Sequence, residues 1–212
     1  MRHNLFVFFF RVLILLIPTY IGAIHFGNDL IPPFPDGDKG SIENHVVEGS
    51  TMYFKGKAAA MNLLAVGESG SKNLFEMTTS LYLTNTAIEY LEKAKINYTQ
   101  AFDIGKATGY VENRQDALIN FDYDGFALQN GLNPIIMKRV KAYLSKGDVT
   151  GFYMQIVIDI EGIIENLKSI KKDLERNVIP RPQVYWKLLQ KFSETTLSGN
   201  YGTMVGITVY GG

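Results

Sequence analysis

Residues 148–177 read DVTGFYMQIVIDIEGIIENLKSIKKDLERN. The apolar positions Val149, Tyr153, Ile156, Ile160, Ile163, Leu167, Ile170 and Leu174 advance by alternating steps of four and three. That spacing keeps one stripe of an α-helix facing a neighbour, and it runs unbroken over about four heptads. Both ends are signed. Asp148 offers a carboxylate to the orphan N–H groups of a first turn. Acids (Asp159, Glu161, Glu165) precede bases (Lys168, Lys171, Lys172, Arg176), as the helix dipole favours. Pro180 and Pro182 prevent continuation. Thirty residues at the helical rise make a rod of roughly 45 Å. A rod with one apolar stripe requires partners of similar length.

Working upstream, Ser71 caps a second long helix near residues 72–104. Its seam is read through Leu74, Met77, Leu81, Thr84, Ile88, Leu91, Lys95, Tyr98 and Phe102, with Gly105 as the stop. Thr84 and Lys95 are polar in an inward stripe, which marks them as candidate ligand or partner contacts; the alternative is register specification. The matched lengths of the two segments predict that they lie side by side. Before them, Ser50-Thr51 caps a shorter helix from about Met52 to Val66, with Ala58-Ala59-Ala60 favouring helix. Gly67 to Ser71 reads as a turn and lacks the Lys-Ser/Thr ending of a phosphate loop. Asn133-Pro134 starts a helix reaching Lys146 and forming an antiparallel hairpin with the 148–177 rod. A last helix follows Pro182. Its Tyr185 and Trp186, the only tryptophan, are candidate partner contacts.

The fold class expected is therefore all-α: an antiparallel helical bundle with two long rods, occupying residues 51–198. Residues 199–212 change character. Val205, Ile207 and Val209 alternate with Met204, Gly206, Thr208 and Tyr210, a strand-like and uncharged tail suited to pairing with its own body or a partner. Residues 24–50, rich in Pro, Gly and Asp around Pro32-Pro33-Phe34-Pro35, read as a linker.

Residues 1–23 read as a signal peptide: Arg2 and Arg11 are its bases, Val12–Ile17 its apolar core, Pro18 a breaker and Ala23 a small cleavage residue. Arg11 splits the apolar residues into runs too short to span a bilayer, so no stable transmembrane anchor is expected after cleavage. The expected location is periplasmic or extracellular. Cleavage removes two bases and no acids, leaving 19 bases against 21 acids.

Composition excludes much chemistry. With no cysteine, disulfides, thiolate catalysis and thiol-ligated metals are ruled out, and the histidines number three: His3, His25 and His45. The formal net charge of zero does not suggest nucleic-acid binding. No cofactor is expected. One motif-like stretch remains, Asn120-Phe-Asp-Tyr-Asp-Gly125. Asn120, Asp122, Asp124 and Gly125 match positions 1, 3, 5 and 6 of a calcium loop, but position 12, a bidentate Glu in such loops, is Gly131. The other meaning of this pattern is an Asx turn with helix capping.

These features point to an exported, non-enzymatic bundle that binds a protein partner or small ligand in the cell envelope, with homo-oligomers possible. Two alternatives stand beside it. One is a self-assembling structural envelope protein. The other is a carboxylate-dependent hydrolase using Asp122 and Asp124, with Asp116 nearby.

Overall fold

In the computed structural model, residues 38–68, 73–110, 115–129 and 133–195 are described. Residues 1–23, read above as a signal peptide, and residues 199–212, read as a strand-like tail, lie outside them. The helices are α1 (Asp38–Glu68), α2 (Leu74–Thr108), α3 (Gln115–Ile119), α4 (Tyr123–Gln129), α5 (Pro134–Leu144), α6 (Val149–Glu175) and α7 (Pro182–Glu194). The fold is all-α, and among the described residues there is no strand.

Helix α6 follows its sequence closely. All eight seam residues are buried, and Phe152, Val157 and Ile164 widen the stripe. The Asp148 carboxylate accepts from the Gly151 N–H at 2.8 Å, so the cap is as expected. Helix α2 runs antiparallel to α6. Tyr98 meets Tyr153 with ring centroids 6.4 Å apart, and further along Lys168 Nζ reaches Glu92 Oε1 at 2.9 Å.

The seam of α2 is not quite the one its large residues suggest. Ser80, Thr84, Ala87, Leu91, Ala94, Tyr98, Ala101 and Gly105 are buried, again in steps of four and three. Thr84, Leu91 and Tyr98 belong to the expected stripe. Ala87, Ala94 and Ala101 replace Ile88, Lys95 and Phe102, which move to its flank. The small residues win because they let two backbones approach. Gly105 belongs to the same logic. It is buried, and a Cβ there would lie 2.9 Å from Thr150 Oγ1, so it serves contact with α6 rather than ending the helix. The helix ends instead at Gly109, in the left-handed region at φ 62°.

The largest departure is α1. It begins at Asp38 rather than near Met52, so residues 38–50 are not linker and Ser50-Thr51 is not a cap. Every proline of the linker precedes Asp38. From there Ile42, Val46, Gly49, Tyr53, Gly56, Ala60, Leu63 and Gly67 keep one 3-4 seam, which makes a third long rod. Glycine inside a helix costs about 1 kcal/mol relative to alanine. Here it admits neighbours: a Cβ on Gly49 would stand 3.0 Å from the Tyr98 ring, and one on Gly56 would stand 2.7 Å from Leu91 Cγ. Helix α1 is thus antiparallel to α2, and Ser50 Oγ and Tyr98 OH share a 2.6 Å hydrogen bond across the contact. His45 is tied to the same face, its Nδ1 3.0 Å from Asn97 Oδ1.

The fourth corner of the bundle is divided. Helix α7 packs antiparallel to α6 and to α1: Tyr185 lies against Gly67, and Phe192 meets Tyr53 with ring centroids 6.2 Å apart. Its buried face is Leu188 and Phe192. Helix α5 covers the other half of α6 through the short 145–148 turn, with Tyr143 against Phe152. Asn133 caps α5 as its sequence predicts, accepting from the Ile135 N–H at 2.9 Å. Two short helices, α7 and α5, therefore stand end to end where a fourth rod would run. Among the described residues, no helix is long and apolar enough to cross a membrane.

Candidate functional site

The end-to-end junction of α7 and α5 leaves a half-open cleft of about 300 Å³, lined by Arg139, Gln155, Ile158, Asp159, Gly162, Lys191, Glu194 and Thr195. Each wall has a structural origin. Helix α6 supplies the floor through Gln155, Asp159 and Gly162, part of a second stripe beside its Ile seam that continues to Asn166 in steps of four, three and four. Helix α7 stops at Glu194, and Thr195 turns into extended backbone at φ −72°, ψ 148°. Its hydroxyl is 2.8 Å from Tyr53 OH on α1, a buried contact that fixes the end of α7 to the opposite rod. Burial holds the Tyr53 hydroxyl neutral well above the usual phenol range; the Thr195 bond opposes this and the nearby Asp159 charge adds to it.

Arg139 joins the two short helices. Its Nη1 donates to the Glu194 carbonyl at 3.3 Å, placing a cation at the carbonyl end of α7, where the dipole favours one. The same nitrogen lies 3.6 Å from Asp159 Oδ1. The Asp159 side chain is only 9% exposed, and Gln155 Nε2 donates to that oxygen at 2.9 Å. Tyr143 OH in turn donates to Gln155 Oε1 at 3.3 Å, orienting the amide. The Glu194 carboxylate accepts from Gln190 Nε2 at 2.7 Å. Lys191 is different: among the described residues its ammonium makes no hydrogen bond or ion pair. A Cβ placed on Gly162 would have a single neighbour within 4 Å, the Lys191 ammonium at 3.6 Å. The cleft thus holds two cations and two carboxylates. The carboxylates are engaged and one of the cations is open.

The residues singled out from the sequence lie elsewhere. Thr84 is fully buried and its hydroxyl donates to the Ser80 carbonyl at 2.7 Å, a bond within its own helix. Lys95 sits between Glu92 at 3.3 Å and Glu161 at 3.7 Å, bridging α2 to α6. These two are packing and register residues in this structure. Tyr185 fills the notch at Gly67, and burial, followed by the Asp173 charge, raises its hydroxyl. Trp186 is 65% exposed on the outer face of α7.

The Asn120–Gly125 stretch serves local structure. Asn120 Nδ2 donates to the Asp116 carbonyl at 2.8 Å, and Asp122 Oδ1 accepts from the Gly125 N–H at 2.9 Å at the start of α4. Asp124 turns to Lys141 at 2.6 Å. Between them Tyr123 is buried, donating to the Leu118 carbonyl at 2.6 Å, and burial pushes its hydroxyl up to about 12. The three candidate calcium ligands thus serve three separate partners. Among the described residues no three His, Cys, Asp or Glu side chains gather closely enough to hold a metal ion.

None of the cleft residues stands out in the sequence by type. The available signal is the polar stripe Gln155, Asp159, Gly162 and Asn166 inside an otherwise apolar half of α6, which acquires meaning only once α5 and α7 are known to meet over it. Comparison with known proteins returns no family model, no curated protein and no solved structure that matches this chain.

Proposed function

We propose that this chain is an exported, non-enzymatic binding module whose ligand is a small polar molecule held where α5 and α7 meet. The observation that carries the proposal is the cleft itself. It has the size of a small ligand site at the low end of the usual range, and charged groups of both signs converge on it from three helices. Most of the bundle is closed by Ala, Gly and Ile seams, whereas this corner is interrupted and polar. Export is supported by the arrangement of Arg2, Arg11, the apolar Val12–Ile17 run and Pro18.

The test is native mass spectrometry of the protein purified from its own envelope fraction, beside a Gly162→Leu variant that fills the cleft floor. The proposal expects a small-molecule adduct on the native protein and its loss in the variant. A bare native protein, or an adduct that survives Gly162→Leu unchanged, contradicts it.

A further inference from the structure

Building on the small-ligand reading of the cleft, we infer that the ligand is a small organic acid, with its carboxylate between Lys191 and Arg139 and its apolar part against Ile158. The inference rests on a count of unspent donors. Arg139 directs one of its nitrogens, Nη1, at the Glu194 carbonyl and Asp159; its other N–H groups have no acceptor among the described residues. Lys191 has three N–H donors and no partner among them. On the acceptor side, Asp159 Oδ1 accepts from Gln155 and pairs with Arg139 at 3.6 Å, its side chain nearly closed to solvent, while Glu194 accepts from Gln190 through Oε1. The Nε and Nη2 groups of Arg139 and the Lys191 ammonium therefore offer more N–H donors than Glu194 Oε2 can take, and a ligand that completes the cleft brings acceptor oxygens. A carboxylate matches the guanidinium fork and the ammonium with charge-assisted bonds.

Two further features narrow the class. Ile158 lines the same cleft and is 55% exposed, so an apolar stub on the acid gains contact there. Gly162 presents bare helix below Lys191, leaving room for ligand atoms where any other residue would place a side chain. The two carboxylates in the lining balance the two cations. Affinity then comes from hydrogen bonds made at short range rather than from a strong net field, which sets a Kd of about a millimolar for a minimal probe.

The experiment is a ¹H–¹⁵N NMR titration of the full chain with isobutyrate, inorganic phosphate and choline, repeated on Lys191→Met and on Lys93→Gln. Lys93 is paired with Glu89 on the outer face of α2, so it controls for loss of one positive charge. The expected result is that isobutyrate moves the amides of residues 158–162 and 191–195. The affinity should fall about tenfold in Lys191→Met and stay unchanged in Lys93→Gln. Equal weakening by both variants overturns the inference. Choline moving the same amides at lower concentration also overturns it, since the site then selects cations. Phosphate binding without isobutyrate binding overturns the organic-acid assignment. In those last two cases the cleft remains a ligand site. Silence of the cleft to all three probes overturns the inference, and a bare protein by native mass spectrometry then removes the underlying reading as well.

Discussion

Two glycine-to-alanine substitutions in helix interiors should move stability in opposite directions. Both gain the same intrinsic term, about 0.8–1 kcal/mol for replacing glycine by alanine within a helix. At Gly162 nothing opposes it, because the new methyl has only the flexible tip of Lys191 near it, at 3.6 Å. At Gly56 the methyl would lie 2.7 Å from Leu91 Cγ, 3.1 Å from Leu91 Cδ2 and 3.2 Å from the Ala87 carbonyl oxygen. Leu91 is fully buried and the carbonyl belongs to a helix, so neither withdraws cheaply. Overpacking of this kind costs about 1–3 kcal/mol, which leaves Gly56→Ala destabilised by up to about 2 kcal/mol after the propensity gain. The two variants should therefore differ by about 1–3 kcal/mol, or several degrees in Tm for a chain of this size. Urea unfolding followed by far-UV circular dichroism measures it, with m checked for constancy. Leu91→Ala adds a cycle: alone it should cost about 2–5 kcal/mol, and in the Gly56→Ala background less, because the shortened side chain makes room. If Gly56→Ala raises the midpoint as much as Gly162→Ala does, α1 and α2 are not in the contact described.

Tyr53→Phe removes the hydroxyl that holds Thr195 and should cost about 1–2 kcal/mol in chemical unfolding, with the fold intact by circular dichroism. The acid limb of stability should carry a contribution from Glu92, whose carboxyl is held below its ordinary value first by its hydrogen bond to Lys168 and also by Lys95, with partial burial opposing. A depressed carboxyl stabilises the fold above its unfolded pKa, and that contribution disappears as pH falls through its folded value. Glu92→Gln should therefore flatten the decline below pH ~4.5, by no more than about 1 kcal/mol for a pair this exposed. At the alkaline end the sign reverses. Burial raises the Tyr53 and Tyr98 hydroxyls above their ordinary value of 10.0, so the unfolded chain loses protons first. Stability should fall as pH climbs past about 10, and Tyr98→Phe should reduce that slope.

The rods were legible where their inward residues are large. In α6 an alternation of Ile and Leu identifies itself. In α2 the inward stripe is half alanine, and a reading that seeks bulk shifts at Ala87, Ala94 and Ala101 to the larger neighbours one residue on. In α1 the glycines and the opening Asp38-Lys39-Gly40 segment look like a loop. Gly49 and Gly56 acquire a helical meaning only from Tyr98 and Leu91, some fifty and thirty-five residues away. Helix caps are legible at Asp148 and Asn133 but not at Ser50-Thr51, which lies inside α1, nor at Ser71, since Asn73 caps α2 by accepting from the Glu76 N–H at 2.9 Å. The cleft was not legible, because it arises from where two short helices end. Arg139, Asp159 and Lys191 are ordinary charged residues on three different helices until the fold brings them together. The Asn120–Gly125 motif shows the converse, a recognisable pattern whose carboxylates and amide each serve separate local partners.

The pairing of α2 with α6 carries the bundle, and the absence of cysteine from the sequence makes it directly measurable. A Cβ on Gly105 would lie 3.6 Å from that of Thr150, within the range of a disulfide. Mild oxidation of the Gly105→Cys, Thr150→Cys double variant should give an intramolecular disulfide in high yield with unchanged helicity, while Gly105→Cys with Lys172→Cys, at the far end of α6, should give none. Free thiols in the first pair, or crosslinking in the second, would contradict the antiparallel rods on which the cleft is built.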